Sequence, residues 1–300
     1  MWILRALLSA FWLGIYDVFK KKSLSDNAVI PVLSLSILLS FGLLAPYLIV
    51  SLFHPDAQKL LGDFYVPNVS AEVHLAIFVK SVIVLGSWIC AYFGMKHVPI
   101  TIFSPIRATQ PLWTVICATF IFSESLSIAQ VVGVSITLVS FFLFSQIGKS
   151  EGISWKANHW IWLIILATIC GSASGLYDRH LMNHYPRMAV QVYSTMYQSV
   201  LMLLVMFSIW FPLRKKTTPF TWRWSILGIS ICLMIADYLY YEALSNKDAM
   251  ISIVSTIRRS GAVVPFLYGA FMLHEKNIKK KSVLLFGVLL GVAILYYFRS

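Results

Sequence analysis

The sequence predicts an all-α integral membrane protein of ten transmembrane helices, built as two five-helix repeats of opposite orientation. Three observations predict it. Of 300 residues, 59% are hydrophobic and only 12% are charged, and the mean hydropathy is +0.78, more apolar surface than a water-soluble domain can hide. The apolar stretches are long enough to cross about 30 Å of hydrocarbon. Short landmarks also recur, in the same order, in the two halves of the chain.

In chain order the expected spans are residues 2–20, 28–53, 73–95, 100–122, 128–146, 158–178, 188–211, 223–244, 249–273 and 282–298. The first, "MWILRALLSAFWLGIYDVF", lacks a strongly basic start and a small-residue cleavage site, so it reads as a retained helix. "KHVP" at 96–99 and "SNKD" at 245–248 are too short for anything but antiparallel neighbours. Two connections have more room: "HPDAQKLLGDFYVPNVSAEV" after the second span and "GKSEGISWKAN" after the fifth.

The second of these marks the expected division: a first repeat at 1–147, a linker at 148–157 and a second repeat at 158–300. "GIYD" at 14–17 returns as "GLYD" at 175–178, and "SPIR" at 104–107 returns as "STIR" at 255–258. Arg107 is followed by Glu124 at the spacing that separates Arg258 from Glu275. An odd number of spans per copy forces the second copy into the membrane upside down, the inverted-repeat plan of secondary transporters.

The net charge of +12 would suggest nucleic acid in a soluble protein. Here most Lys and Arg fall between apolar runs, where headgroups and the positive-inside bias account for them, so no nucleic-acid partner is expected. The loops after odd-numbered spans collect the clusters Lys20–Lys22, Arg214–Lys216 and Lys279–Lys281, whereas the opposite side carries scattered Arg5, Lys59, Arg179, Arg187, Lys247 and Arg299. The charge rule therefore places both termini outside. Cys90, Cys117, Cys170 and Cys232 lie singly in apolar runs, and no His cluster has metal-ligand spacing, so neither a disulfide, a metal nor a cofactor is expected. No HExxH, GxSxG or paired-carboxylate motif points to an enzyme.

"AYFGMKHVP" and its counterpart "YYEALSNKD", together with the acids in "FSESLSIAQVVGV" and "LHEKNIKKKSVLLFGV", resemble the drug/metabolite transporter superfamily with its two EamA-type repeats. The resemblance spans nearly the whole chain. It implies a ten-helix multi-pass protein, in the plasma (inner) membrane of a bacterium and as a monomer or homodimer, that moves small organic solutes by alternating access. Members usually keep both termini in the cytoplasm, against the charge rule.

Arg258 and Arg259 stand side by side inside "IVSTIRRSGAVVPFLYGAF". An Arg at the centre of a span costs about 2.5–3.5 kcal/mol on insertion scales, and two neighbours cannot both reach the interface from mid-span. Arg107 lies nearer an interface, so snorkelling is open to it. Ser252, Ser255, Thr256 and Arg259 fall on one helical face, and Ser104, Arg107, Gln110 and Thr114 form a similar stripe on the fourth span. Facing each other, the stripes would make a cationic site for a small anionic substrate. The pattern resembles the triose-phosphate translocator branch, which implies phosphate-gripping roles for Arg107, Arg258 and Arg259. Internal pairing to Asp17, Asp178, Asp237 or Glu242 is the competing reading, in which the arginines pin helices together. Asp17 and Asp178 are either proton-coupling carboxylates or helix-end polar residues, and Glu242 is a further coupling candidate or the Arg-paired acid of a packed aromatic face with Tyr238 and Tyr241. Glu124 and Glu275 are expected to close helix ends. The expected activity is transport of a phosphorylated or carboxylated anion, with an exporter of amino acids or other small metabolites, or a flippase or binder of a phosphate-bearing lipid, as alternatives.

Overall fold

A computed structural model describes residues 2–114, 128–150, 158–246, 249 and 251–297. Among them every regular element is helical. The first half comprises α1 (Trp2–Leu24), α2 (Val29–Phe53), the short α3 (Ala57–Leu61), α4 (Ala71–His97), α5 (Ile100–Ala108) and α6 (Ile128–Ser150). The second comprises α7 (His159–His184), α8 (Arg187–Val205), α9 (Ser225–Leu244), α10 (Ile251–Ser260), α11 (Val263–Phe271) and α12 (Ile278–Tyr297). Beyond Val205, α8 continues through a π turn at Met206–Trp210 to Leu213. Six helices among the described residues are long and apolar enough to cross a membrane: α1, α2, α4, α7, extended α8 and α9. Large apolar side chains such as Leu4, Phe11, Leu75, Trp162 and Phe286 point outward, as lipid requires.

The expected fourth and ninth spans are not continuous helices. α5 ends at Ala108, turns at Thr109 and resumes at 110–114, while α10 ends at Ser260 and α11 begins at Val263. Proline explains both breaks: Pro111 and Pro265 have no N–H to return to the carbonyls of Arg107 and Gly261. Glu124 and the remainder of the fourth span lie outside the described residues. Within the expected linker, Gly148–Ser150 continue the helix of α6, and 151–157 lie outside the described residues.

α1 packs along α9 and α4 along α7, while α2 meets α8 and α6 meets α12. Buried serines tie the first two pairs: Ser9 donates to the Ala236 carbonyl at 2.6 Å and Ser87 to the Ala167 carbonyl at 2.7 Å. α1 also crosses the break between α10 and α11 at very short range. A Cβ on Gly14 would lie 2.6 Å from Val264 Cβ and 2.7 Å from the Gly261 carbonyl oxygen, so only glycine fits there. Glu275 closes the start of α5, accepting from the Ile100 N–H at 3.0 Å, the Thr101 N–H at 3.1 Å and the Thr101 hydroxyl. It satisfies donors that a helix start leaves without intrahelical partners.

Candidate functional site

The helix breaks position the arginines. Arg107 is in the last turn of α5, and Arg258 and Arg259 are in the last turn of α10, so all three sit at carbonyl-rich helix ends, where cations are favoured. Together they line a cleft of about 80 Å³ with Gln110, Gly171, Ser174, Gly175, Asp178, Asp237, Tyr240 and Tyr241. An adjoining recess brings the same three arginines against Asp17 and Ser104, with Gly14, Gly261 and Ala262 in its wall. Arg107 thus faces the interior rather than an interface. The side chains of Ser252, Ser255 and Thr256 lie outside the described ones, although their backbone belongs to α10.

The arginines are held unequally. Arg258 forms an ion pair with Asp237 and lies 4.0 Å over the Tyr240 ring. Among the described residues, neither Arg107 nor Arg259 has a carboxylate within ion-pair distance. Buried polar atoms without a hydrogen bond concentrate here: Ser104 Oγ, Arg107 Nη1, Gln110 Oε1, Asp178 Oδ1 and Arg258 Nε. Gln110 is fixed by its amide N–H to the Gly171 carbonyl at 2.8 Å, which leaves its oxygen turned to the cleft. Gly171 makes the room, since a Cβ there would come within 2.9 Å of that oxygen.

Two acids that match in "GIYD" and "GLYD" each bind a buried lysine. Asp17 accepts Lys20 of its own helix at 2.5 Å, and Lys20 is caged by the rings of Tyr16, Tyr92 and Phe103 at 4.4, 5.1 and 5.3 Å. Asp178 is 3.2 Å from Lys80 of α4, without hydrogen-bond geometry at its Oδ1, while Lys80 donates to the Tyr241 hydroxyl and lies over the Tyr241 ring. Lys80 is only 2% exposed and had no place in the sequence reading. Its signal is a single cation inside "AIFVKSVIVLG", where an intramembrane charge by itself marks a functional position.

Glu242 lies apart from this cleft. It pairs with Arg5 at 2.9 Å and Arg187 at 3.5 Å, and Arg187 also approaches Asp63, beside Phe64 stacked between Tyr47 and Tyr238. Its two cations come from α1 and α8, so at the end of α9 Glu242 is an Arg-paired acid beside an aromatic stack, one of the two readings its sequence position allows.

A helical bundle with a cationic internal cleft and lipid-facing apolar sides defines an integral multi-pass membrane protein. The chain belongs to the EamA-like transporter family, whose model matches residues 1–146 and 158–297, and it is thereby a transporter of the drug/metabolite type. A solved crystal structure, described only as that of a protein, aligns over 100% of this chain and 99% of its own, at 15% identity and a TM-score of 0.63, a likeness of fold alone. No curated protein matches the chain.

Proposed function

We propose that this protein is a secondary active transporter that carries a small organic anion, phosphorylated or carboxylated, through the cleft of Arg107, Arg258 and Arg259 by alternating access. The carrying observation is the pair Arg107 and Arg259, which face the cleft with no carboxylate partner among the described residues, beside orphaned Ser104, Gln110 and Arg258 atoms. Cations left unpaired in a low-dielectric interior are costly, and an anion that takes their N–H groups repays that cost with charge-assisted, often bidentate bonds.

The reading includes ten spans in two inverted repeats. It is supported by the matching breaks beside Arg107 and Arg258, by the equivalent packing of α1 on α9 and α4 on α7, and by a family match in two segments. Broken helices near the midplane are where such carriers hold their substrates. Enclosure of the arginines by residues of α1, α4, α7 and α9 and of the break between α10 and α11 favours a soluble ion over a lipid headgroup, which would need them at a lipid-facing opening. The fitting location is the bacterial inner membrane.

Thermal unfolding of the purified protein across phosphorylated, carboxylated, zwitterionic and neutral metabolites tests the reading. Stabilisation that grows with anion concentration is expected; stabilisation only by zwitterions or neutral solutes would refute it.

A further inference from the structure

Behind the arginine cleft lies a second compartment of about 40 Å³, walled by Ser40, Lys80, Gln191, Ser194, Thr195 and Gln198. It shares Val84, Trp88, Asp237 and Tyr241 with the cleft, so the two spaces adjoin. Its character differs from that of the cleft. Lys80, its one cation among the described lining residues, already faces Asp178, and Asp237 already holds Arg258. What remains is neutral hydrogen-bonding capacity, set among the apolar side chains of Ile37, Leu44, Leu233 and Met234. Gln198 is 4% exposed and makes no side-chain hydrogen bond among the described residues. Ser40, Ser194 and Thr195 spend their protons on their own helices, leaving hydroxyl lone pairs toward the space.

Resting on the anion reading, we infer that this compartment is a second subsite, which takes the uncharged, hydroxyl- or amide-bearing body of the anion whose charged head the arginines hold. A second anionic group does not fit it, because Lys80 is neutralised in place. A wholly apolar body would meet the apolar walls but strand the Gln198 amide away from water, and a buried polar group without a partner is penalised, so a body that also carries hydroxyl or amide groups is preferred. At roughly 10–15 Å³ for each water position, the space holds about three waters, which limits the body to a small one. Lys80 thereby becomes a positioning residue: its contact with the Tyr241 hydroxyl fixes the wall between head and body.

The test compares hydroxylated probes with their deoxy analogues on the full-length protein in detergent: glycerol 3-phosphate against propyl phosphate, and glycerate against propionate, with inorganic phosphate as the head alone. The hydroxylated member of each pair is expected to bind about tenfold more tightly. Gln198→Met, which strands no protein partner, should bring the members of a pair within about twofold of each other. Should that variant fail to fold, Ser40→Ala carries the test through a smaller fall in the same ratio. Equal binding of both members by the wild type, or a ratio unmoved by the variants, overturns the second subsite while leaving the anion reading intact. Failure of every probe, inorganic phosphate included, overturns both.

Discussion

Asp17 and Asp178 occupy matching places in two matching tetrapeptides, and each lies beside a buried lysine, but the lysines come from different directions. Lys20 is one turn along the same helix, so this ion pair is local, although Tyr92 of α4 and Phe103 of α5 complete the ring cage around it. Lys80 arrives from another helix, and its cluster forms the wall between two internal spaces. The difference teaches that equivalent acids need not do equivalent work. A local pair can be formed by one helix alone, whereas the Lys80–Asp178 pair exists only when α4 and α7 are packed, and it reports their separation.

Removing the acids separates the two clusters most strongly. Asp178→Ala leaves Lys80 buried without a carboxylate and is expected to destabilise the protein by about 3–5 kcal/mol. Asp17→Ala should cost about 2 kcal/mol less, since the rings around Lys20 remain to hold its charge. Thermal unfolding in detergent measures both; equal losses would show the clusters to be alike. Lys80→Met combined with Asp178→Asn should regain much of the stability lost in Asp178→Ala, because no buried charge is left alone.

The glycines of the same tetrapeptides sharpen the contrast at smaller scale. Gly14 abuts Val264 and the Gly261 carbonyl, whereas a Cβ on Gly175 would meet only Gln110 Nε2, at 4.0 Å. Gly14→Ala is therefore expected to cost about 1–3 kcal/mol by overpacking. Gly175→Ala should be neutral, or stabilising by up to about 1 kcal/mol through helix propensity. Melting temperatures that shift equally would contradict the packing account.

Which end each cluster faces is read by topology rather than stability. The charge rule expects both termini outside, so a reporter fused after Ser300 that is active only in the exterior compartment places the Lys20 end of α1 on the cytoplasmic side. Activity only in the cytoplasm reverses the assignment. Lys20 and Lys281 weigh less in that rule than a loop count gives them, since they are 4% and 0% exposed within helices.

The sequence shows the arginines and the two acids plainly, because charge inside an apolar run and repetition of "GIYD" are both visible in one dimension. Lys80 is visible on the same ground, as a lone cation in an apolar run, but its pairing is hidden, since its partner lies nearly a hundred positions away. The breaks beside Arg107 and Arg258 escape a count of apolar residues as well. Pro111 and Pro265 announce them, but a proline in a membrane helix gives either a kink or a break, and packing decides which. Glu242 was visible as an acid, whereas its partners Arg5 and Arg187 are set by how α1 and α8 meet α9.

The most direct test of the account is the affinity of Arg259 variants for an anion, measured by titration of the purified protein with inorganic phosphate and glycerol 3-phosphate. Arg259 faces the cleft without a carboxylate partner among the described residues, so Arg259→Ala should fold normally and lose roughly 10- to 100-fold in affinity. Arg259→Lys should recover part of that loss, keeping the charge without the planar fork. A folded Arg259→Ala protein that binds both anions as tightly as the wild type would contradict the account and leave the arginines as helix-pinning groups.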